Sequence, residues 1–290
     1  MKEDTTKHTK GRKKKKTVKD RLLDVLLIFF ILVFVGCGGY LGYYYYMIHK
    51  GQARAEELSE MIPEDDEYVD EEFYYATAGD AEPGTPAVAM FTEIDGKMIL
   101  TKYSKLYEMN NDMVGWLYIP GTLISYPVVQ TPEDEEYYLR RDFDKKDSMS
   151  GTLFVSKYSD VVKPTDNVVI YGHNMKAGTM FHALLEYENE DFYKEHKTVI
   201  FNTIYGNAEY EVIAAFKTNI KEVDDTGFKY YQFFDADVPE EFDDYVLNCK
   251  NLTPYDIPVT ASYGDKLITL STCSYHTDEG RYVVVAKRVK

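Results

Sequence analysis

The 290-residue chain is 44% hydrophobic and 28% charged, a globular balance that leaves room for one sizeable domain with attachments and excludes a disordered or collagen-like chain. Its charge is uneven: residues 1–21 hold ten Lys and Arg against three Asp and Glu, so the net −16 of the whole leaves −23 for the rest. So acidic a body excludes a nucleic-acid-binding domain, because neutralising phosphates needs Lys and Arg, and three cysteines exclude a disulfide scaffold.

The basic run 10–16, taken alone, fits a nuclear-localisation or nucleic-acid patch, but the segment after it points elsewhere. Residues 25–46 carry no charge for 22 positions, enough helix to cross about 30 Å of hydrocarbon. A transmembrane anchor is therefore predicted at 22–48. The positive-inside rule leaves 1–21 as a cytoplasmic tail and puts everything after the span outside the plasma membrane. Tyr43, Tyr44, Tyr45 and Tyr46 suit the outer membrane–water interface, and Cys37 reads as a small packing residue between glycines. A cleaved signal peptide competes, with Ala53-Arg54-Ala55 as a cleavage-like triplet. The apolar stretch is longer than a signal core and the triplet lies well past its end, which favours an uncleaved anchor.

Residues 49–93 read as an acidic stalk, extended or partly helical. Charge is dense from 56 to 82, and Pro63, Gly79, Pro83, Gly84 and Pro86 interrupt any period. Its tyrosines and Phe73 are available to dock on the domain that follows. That domain is predicted at 94–290. A short helix is expected at 102–110, and strands at 114–119 and 124–129 around the turn Pro120-Gly121. Thr131-Pro132-Glu133 predicts a helix start, with a cap, a proline at the first position and acids in the first turn. Further strands are expected at 151–155 and 167–171, a helix at 179–187 with Phe181, Leu184 and Leu185 on one face, and strands at 198–204 and 209–217 around Gly206-Asn207. Asp237 and Glu240, three apart, form a capping-box pattern, and Phe242, Tyr245, Val246 and Cys249 continue as a helical stripe. Strands at 266–272 and 281–289 close the chain. Many short, evenly spaced strands with few long helices favour a mainly β barrel over a doubly wound sheet.

The chemistry-bearing residues stand at strand ends. Cys273 follows the apolar, β-branched run 267–272 and precedes a polar loop, so it reads equally as a buried strand cysteine or as a thiol displayed where reactive groups often sit. His173 leaves the apolar stretch 168–171 after Gly172, which permits close backbone approach. His276 competes, being three residues from Cys273 in a loop without apolar support. Arg281 opens the last strand and reads otherwise as a surface arginine. A sulfur, an imidazole and a guanidinium together read as an acyl-transfer site passing through a thioester. No paired Cys or His spacing of a zinc site is present, so neither metal nor cofactor is expected.

Tyr171-Gly172-His173-Asn174-Met175, and Thr269-Leu270-Ser271-Thr272-Cys273 with an arginine eight residues on, resemble the sortases of Gram-positive bacteria. Val114-Gly115-Trp116-Leu117, Tyr126-Pro127-Val128-Val129-Gln130, Tyr138-Leu139, Gly178-Thr179-Met180-Phe181 and a late helix at about 239–250 resemble class B in particular. The resemblance runs from about 102 to the C-terminus and implies an eight-stranded sortase barrel with short helices and a late helical insertion. It implies a membrane-anchored cysteine transpeptidase that cleaves the C-terminal sorting motif of secreted proteins and passes the acyl group to a cell-wall peptide amine or a pilin lysine. Cys273 would be the nucleophile, His173 the acid and base, and Arg281 the oxyanion and substrate donor. Ser271, Thr272, Asn174 and Ser274 would belong to the substrate groove.

Three positions depart from the family pattern: Asp134-Glu135 where Asp-Asn is frequent, Ser274 where some members carry an acid, and Ser156 where Asp is frequent. The sorting motif is left open by them. Two other classes stay open as well. An L,D-transpeptidase-like peptidoglycan enzyme also uses Cys, His and Arg, usually after a Ser-x-Gly pattern, whereas Ser271-Thr272 precedes Cys273 here. A non-catalytic anchored module that binds wall peptides has no use for the complete set.

Overall fold

Short apolar runs with β-branched residues, each ended by Gly, Asn or Asp, cannot hide both faces alone and close on one another. In the computed structural model, which describes residues 17–63, 69, 90–221, 224–274, 277 and 279–290, packing separates two units, Met1–Tyr46 and Met47–Lys290. The second unit opens with a hairpin, β1 (Phe91–Ile94) and β2 (Lys97–Leu100). There follow β3 (Met113–Tyr118), β4 (Ser125–Val129), β5 (Leu153–Val155), β6 (Asn167–Tyr171), β7 (Thr198–Thr203), β8 (Glu209–Asn219), β9 (Leu267–Cys273) and β10 (Gly280–Arg288). Among the described residues, β3 to β10 form a closed barrel in the order β10-β8-β7-β3-β4-β5-β6-β9.

Two junctions of the barrel are parallel, β4 with β5 and β6 with β9; the other neighbours run antiparallel. Pro127 is tolerated within β4 because β5 joins only from Val128 onward, so the missing N–H costs no ladder bond there. The helices are short: α2 (Ser104–Met109), α3 (Glu190–Glu195) and the late insertion α4 (Pro239–Leu252) between β8 and β9. As the sequence predicts, Phe242, Tyr245, Val246 and Cys249 form the buried stripe of α4, lying on Ile213, Ala214, Phe216, Leu267, Val283 and Val285. A second apolar cluster joins Ile99, Leu100, Tyr103, Leu106 and Tyr107 to Trp116, Tyr138 and Phe143.

Several local expectations are corrected. The helix expected from Thr131 does not form: the Thr131 hydroxyl donates to the Asp134 carbonyl in a turn, and only a 3-10 turn at Tyr137–Arg140 follows. The 179–187 helix is a 3-10 helix over Phe181–Glu188, with Phe181 and Leu184 buried and Leu185 half-buried. At α4 the Asp237 side chain makes no cap bond; Glu241 instead accepts the Asp237 N–H at 2.9 Å. The β1–β2 hairpin lies at the edge of the predicted stalk. Its turn is Asp95-Gly96, both at positive φ (52° and 75°), a pair that favours a tight hairpin turn.

The first helix, α1, runs over Val18–Ser59, well past the predicted end of the span. Its apolar side chains from Leu22 to Tyr46 are nearly all exposed, and the stretch is long and apolar enough to cross a membrane. From Met47 on the same helix belongs to the barrel unit, where Ile48, Ala55 and Leu58 are buried. Packing thus begins near 47 rather than at the predicted 94, because three apolar positions on one face outweigh the acidic surroundings that suggested a stalk. The basic tail to Lys16, Phe73 and most of the acidic stretch lie outside the described residues.

Candidate active site

One register relation builds the site. β6 and β9 are parallel, pairing Asn167 with Leu267 and Tyr171 with Ser271. Pairing continues one step further: the Gly172 N–H donates to the Ser271 carbonyl at 3.1 Å, and the Thr272 hydroxyl to the Gly172 carbonyl at 2.7 Å. One residue past Gly172 and Thr272 stand His173 and Cys273, at the ends of adjacent strands. β10 completes the row, since Arg281 is the antiparallel partner of Cys273. Directly opposed residues on neighbouring strands have Cβ atoms about 5 Å apart and side chains on one face. The structure therefore gathers the three expected catalytic residues at the common end of β6, β9 and β10.

Gly172 makes the exit from β6 possible. A Cβ there would collide with Leu153 Cδ2 and come within 2.7 Å of Phe181 Cδ2. After it, His173 is held at both ends: its carbonyl accepts the Phe181 N–H at 2.9 Å, and its Nε2 lies 2.8 Å from the Leu139 carbonyl oxygen. A carbonyl only accepts, so Nε2 carries the hydrogen and Nδ1 is the nitrogen that titrates. Burial lowers the His173 pKa below the ordinary imidazole value; the Leu139 bond opposes this and the Arg140 charge adds to it.

Cys273 is half-buried at the last position of β9. Cys249 is fully buried in α4, and burial pushes its thiol well above the usual range. Arg281 donates from Nη1 to the Gly280 carbonyl at 3.0 Å and pairs with Glu279 at 3.4 Å. Across the turn the Ser274 N–H donates to the Gly280 carbonyl at 2.9 Å. His276 lies outside the described residues.

Ser271, Thr272, Asn174 and Ser274, expected along the groove, are all buried. Asn174 donates from Nδ2 to the Cys273 carbonyl at 3.0 Å and pairs through Oδ1 with His182 Nδ1 at 2.8 Å. Ser271 Oγ lies 2.6 Å from the hydroxyl of Tyr230, which burial pushes up to about 12, with the Ser271 bond and the Arg281 charge opposing. Tyr230, His182 and the Leu139 carbonyl are site components that sequence reasoning missed. Leu139 sits in a motif it had singled out, but nothing marked Tyr230 among neighbouring aromatics.

A sortase-domain family model matches residues 117–289. Sortase B of Listeria monocytogenes is 35% identical over 206 residues, covering 69% of this chain and 79% of that protein. Sortase B of Staphylococcus aureus is 30% identical over 191 residues, covering 65% and 75%. Among solved structures, sortase B of Bacillus anthracis in complex with AAEK1 superposes with a TM-score of 0.66 at 25% identity, covering 85% of this chain and 99% of that one. With the expected eight-stranded barrel, a family match across most of the barrel and relatives of one class, the chain belongs to the sortase family, class B.

Proposed function

We propose that the protein is a membrane-anchored cysteine transpeptidase in which Cys273 is the nucleophile, His173 the acid and base, and Arg281 the donor to the oxyanion. The observation that supports this reading is that His173 follows the end of β6, Cys273 ends the neighbouring β9, and Arg281 on β10 is the pairing partner of Cys273. In the first half-reaction the Cys273 thiol passes its proton to His173 Nδ1 and the sulfur attacks the scissile carbonyl of a C-terminal sorting motif. The C–S bond forms and negative charge gathers on the carbonyl oxygen, where the planar guanidinium of Arg281 can donate two hydrogen bonds. Collapse breaks the C–N bond, and His173 gives its Nδ1 proton to the departing amine. The product is a thioester on Cys273.

In the second half-reaction an incoming amine attacks the thioester and loses a proton to His173. The C–S bond breaks, a new amide forms and the thiol is regenerated. The acceptor is a cell-wall peptide amine or a pilin lysine. The S. aureus enzyme has been captured in a sortase B–substrate complex, which supports a sorting-signal peptide as the donor here. The apolar, exposed part of α1 with the basic residues before it supports a single-pass anchor, N-terminus cytoplasmic and barrel outside. The direct test is Cys273→Ala: cleavage and transfer of a sorting peptide should both vanish while the melting temperature stays within a few degrees of the parent. Turnover that survives the substitution contradicts the assignment.

A further inference from the structure

The part of α1 that belongs to the barrel unit makes specific contacts besides burying Ile48, Ala55 and Leu58. Arg54 grips Asp144 with two donors, Nε at 3.0 Å and Nη2 at 2.8 Å. Gln52, half-buried on the same helix, accepts the hydroxyl proton of Tyr126 on Oε1 at 2.5 Å. Tyr126 is 3% exposed on β4, and its oxygen accepts the Met180 N–H at 2.9 Å. Because the oxygen receives one hydrogen and offers its own, the Tyr126 hydroxyl is oriented only while Gln52 supplies the acceptor.

Met180 is the strained point of the loop that holds His173. Its φ of 57° with ψ −133° is unusual for a residue with a side chain, and such a conformation persists only when the surroundings fix it. Met180 pairs with Asn174 in an isolated bridge, and the next N–H, of Phe181, holds the His173 carbonyl. The path from α1 to the imidazole thus runs Gln52, Tyr126 hydroxyl, Met180 N–H, then the two backbone links onto Asn174 and His173.

We propose that Gln52 is a positioning residue for catalysis: through the Tyr126 hydroxyl it fixes the Met180 turn and with it the His173 loop, so the 47–59 segment of α1 is a working part of the catalytic unit. This rests on His173 being the acid and base. A purely structural role for the segment would predict effects on stability alone, whereas a role at the loop predicts a loss in kcat that follows the acceptor chemistry at position 52.

The experiment compares the full chain in detergent micelles with Gln52→Leu, Gln52→Glu and Tyr126→Phe. Hydrogen exchange is followed by mass spectrometry in the segment 173–181, and kcat and KM are measured with a sorting peptide. Losing one hydrogen bond at the turn should speed exchange there and lower kcat by about tenfold each in Gln52→Leu and Tyr126→Phe, with KM within about twofold of the parent. Gln52→Glu keeps an acceptor and should restore both readouts. Parental exchange or parental kcat in Gln52→Leu overturns the proposal, as does a Gln52→Glu variant as impaired as Gln52→Leu. The underlying reading fails separately: if His173→Ala retains turnover, His173 is not the acid and base, whatever exchange shows.

Discussion

Replacing Arg281 by lysine keeps a positive charge beside Cys273 and removes the planar fork that can hold one oxygen with two donors. If Arg281 stabilises the oxyanion, Arg281→Lys should lower turnover on the order of a hundredfold. Its present partners, a backbone carbonyl and Glu279 at 3.4 Å, form the kind of partly exposed pair worth about 0–1 kcal/mol, so the melting temperature should barely change. Turnover and melting measured on one preparation check this; parental turnover would leave Arg281 a surface residue. His173 makes a second demand. Its folded pKa is lowered, first by burial, so as pH falls the unfolded chain takes up this proton before the folded one does. The neutral imidazole's contribution to stability is therefore full above about pH 6.5, the unperturbed value, and is lost as pH falls through the depressed folded pKa. A nitrogen-detected NMR titration should give a His173 midpoint below about 6.5, with Nδ1 the titrating atom; a midpoint above it would contradict the burial argument.

At the scale of elements, the late helix α4 acts as a support for β9. Tyr245 on α4 reaches the Thr269 hydroxyl at 2.9 Å, and Asn167 on β6 accepts from Thr269 at 2.8 Å, so helix and both strands meet at Thr269, on the same strand as Cys273. Phe242 is fully buried, edge-on to Phe233 with ring centres 5.9 Å apart. Phe242→Ala should cost about 3–5 kcal/mol, read as a lower urea midpoint at unchanged slope; a loss under about 1 kcal/mol would mean the helix is dispensable. The α4 stripe was legible because its apolar period is 3.6, although the capping box expected at Asp237 and Glu240 does not form. The barrel strands were legible from β-branched runs, and the candidate site residues because Cys273 and His173 follow such runs and Arg281 opens one. What escaped was either tertiary or overridden. Thr131-Pro132 carries a start signal, but the apolar residues that follow are taken by the cluster around Tyr138 rather than by a helix. Asp95-Gly96 is a hairpin signal hidden by the acidic composition before it. The register that brings His173 level with Cys273 belongs to a parallel pairing between strands a hundred residues apart, which no local pattern contains.

For the molecule as a whole, the proposed orientation, basic tail inside and barrel outside, is open to a direct test. Protease added to intact, wall-stripped cells should remove a C-terminal tag and leave an N-terminal tag protected; a C-terminal tag lost only after lysis would reverse the topology. If Cys273 is the nucleophile, as proposed, the acyl group must stay on that one sulfur between the two half-reactions. The thioester on Cys273 is thus the central claim. The full chain, incubated with a sorting peptide and no acceptor amine and then quenched in acid, should gain the mass of the acyl fragment. Peptide mapping should place that mass on the segment containing Cys273. Hydroxylamine should release it, and Cys273→Ala should never acquire it. An adduct on another residue, or peptide turnover in Cys273→Ala, would contradict the account.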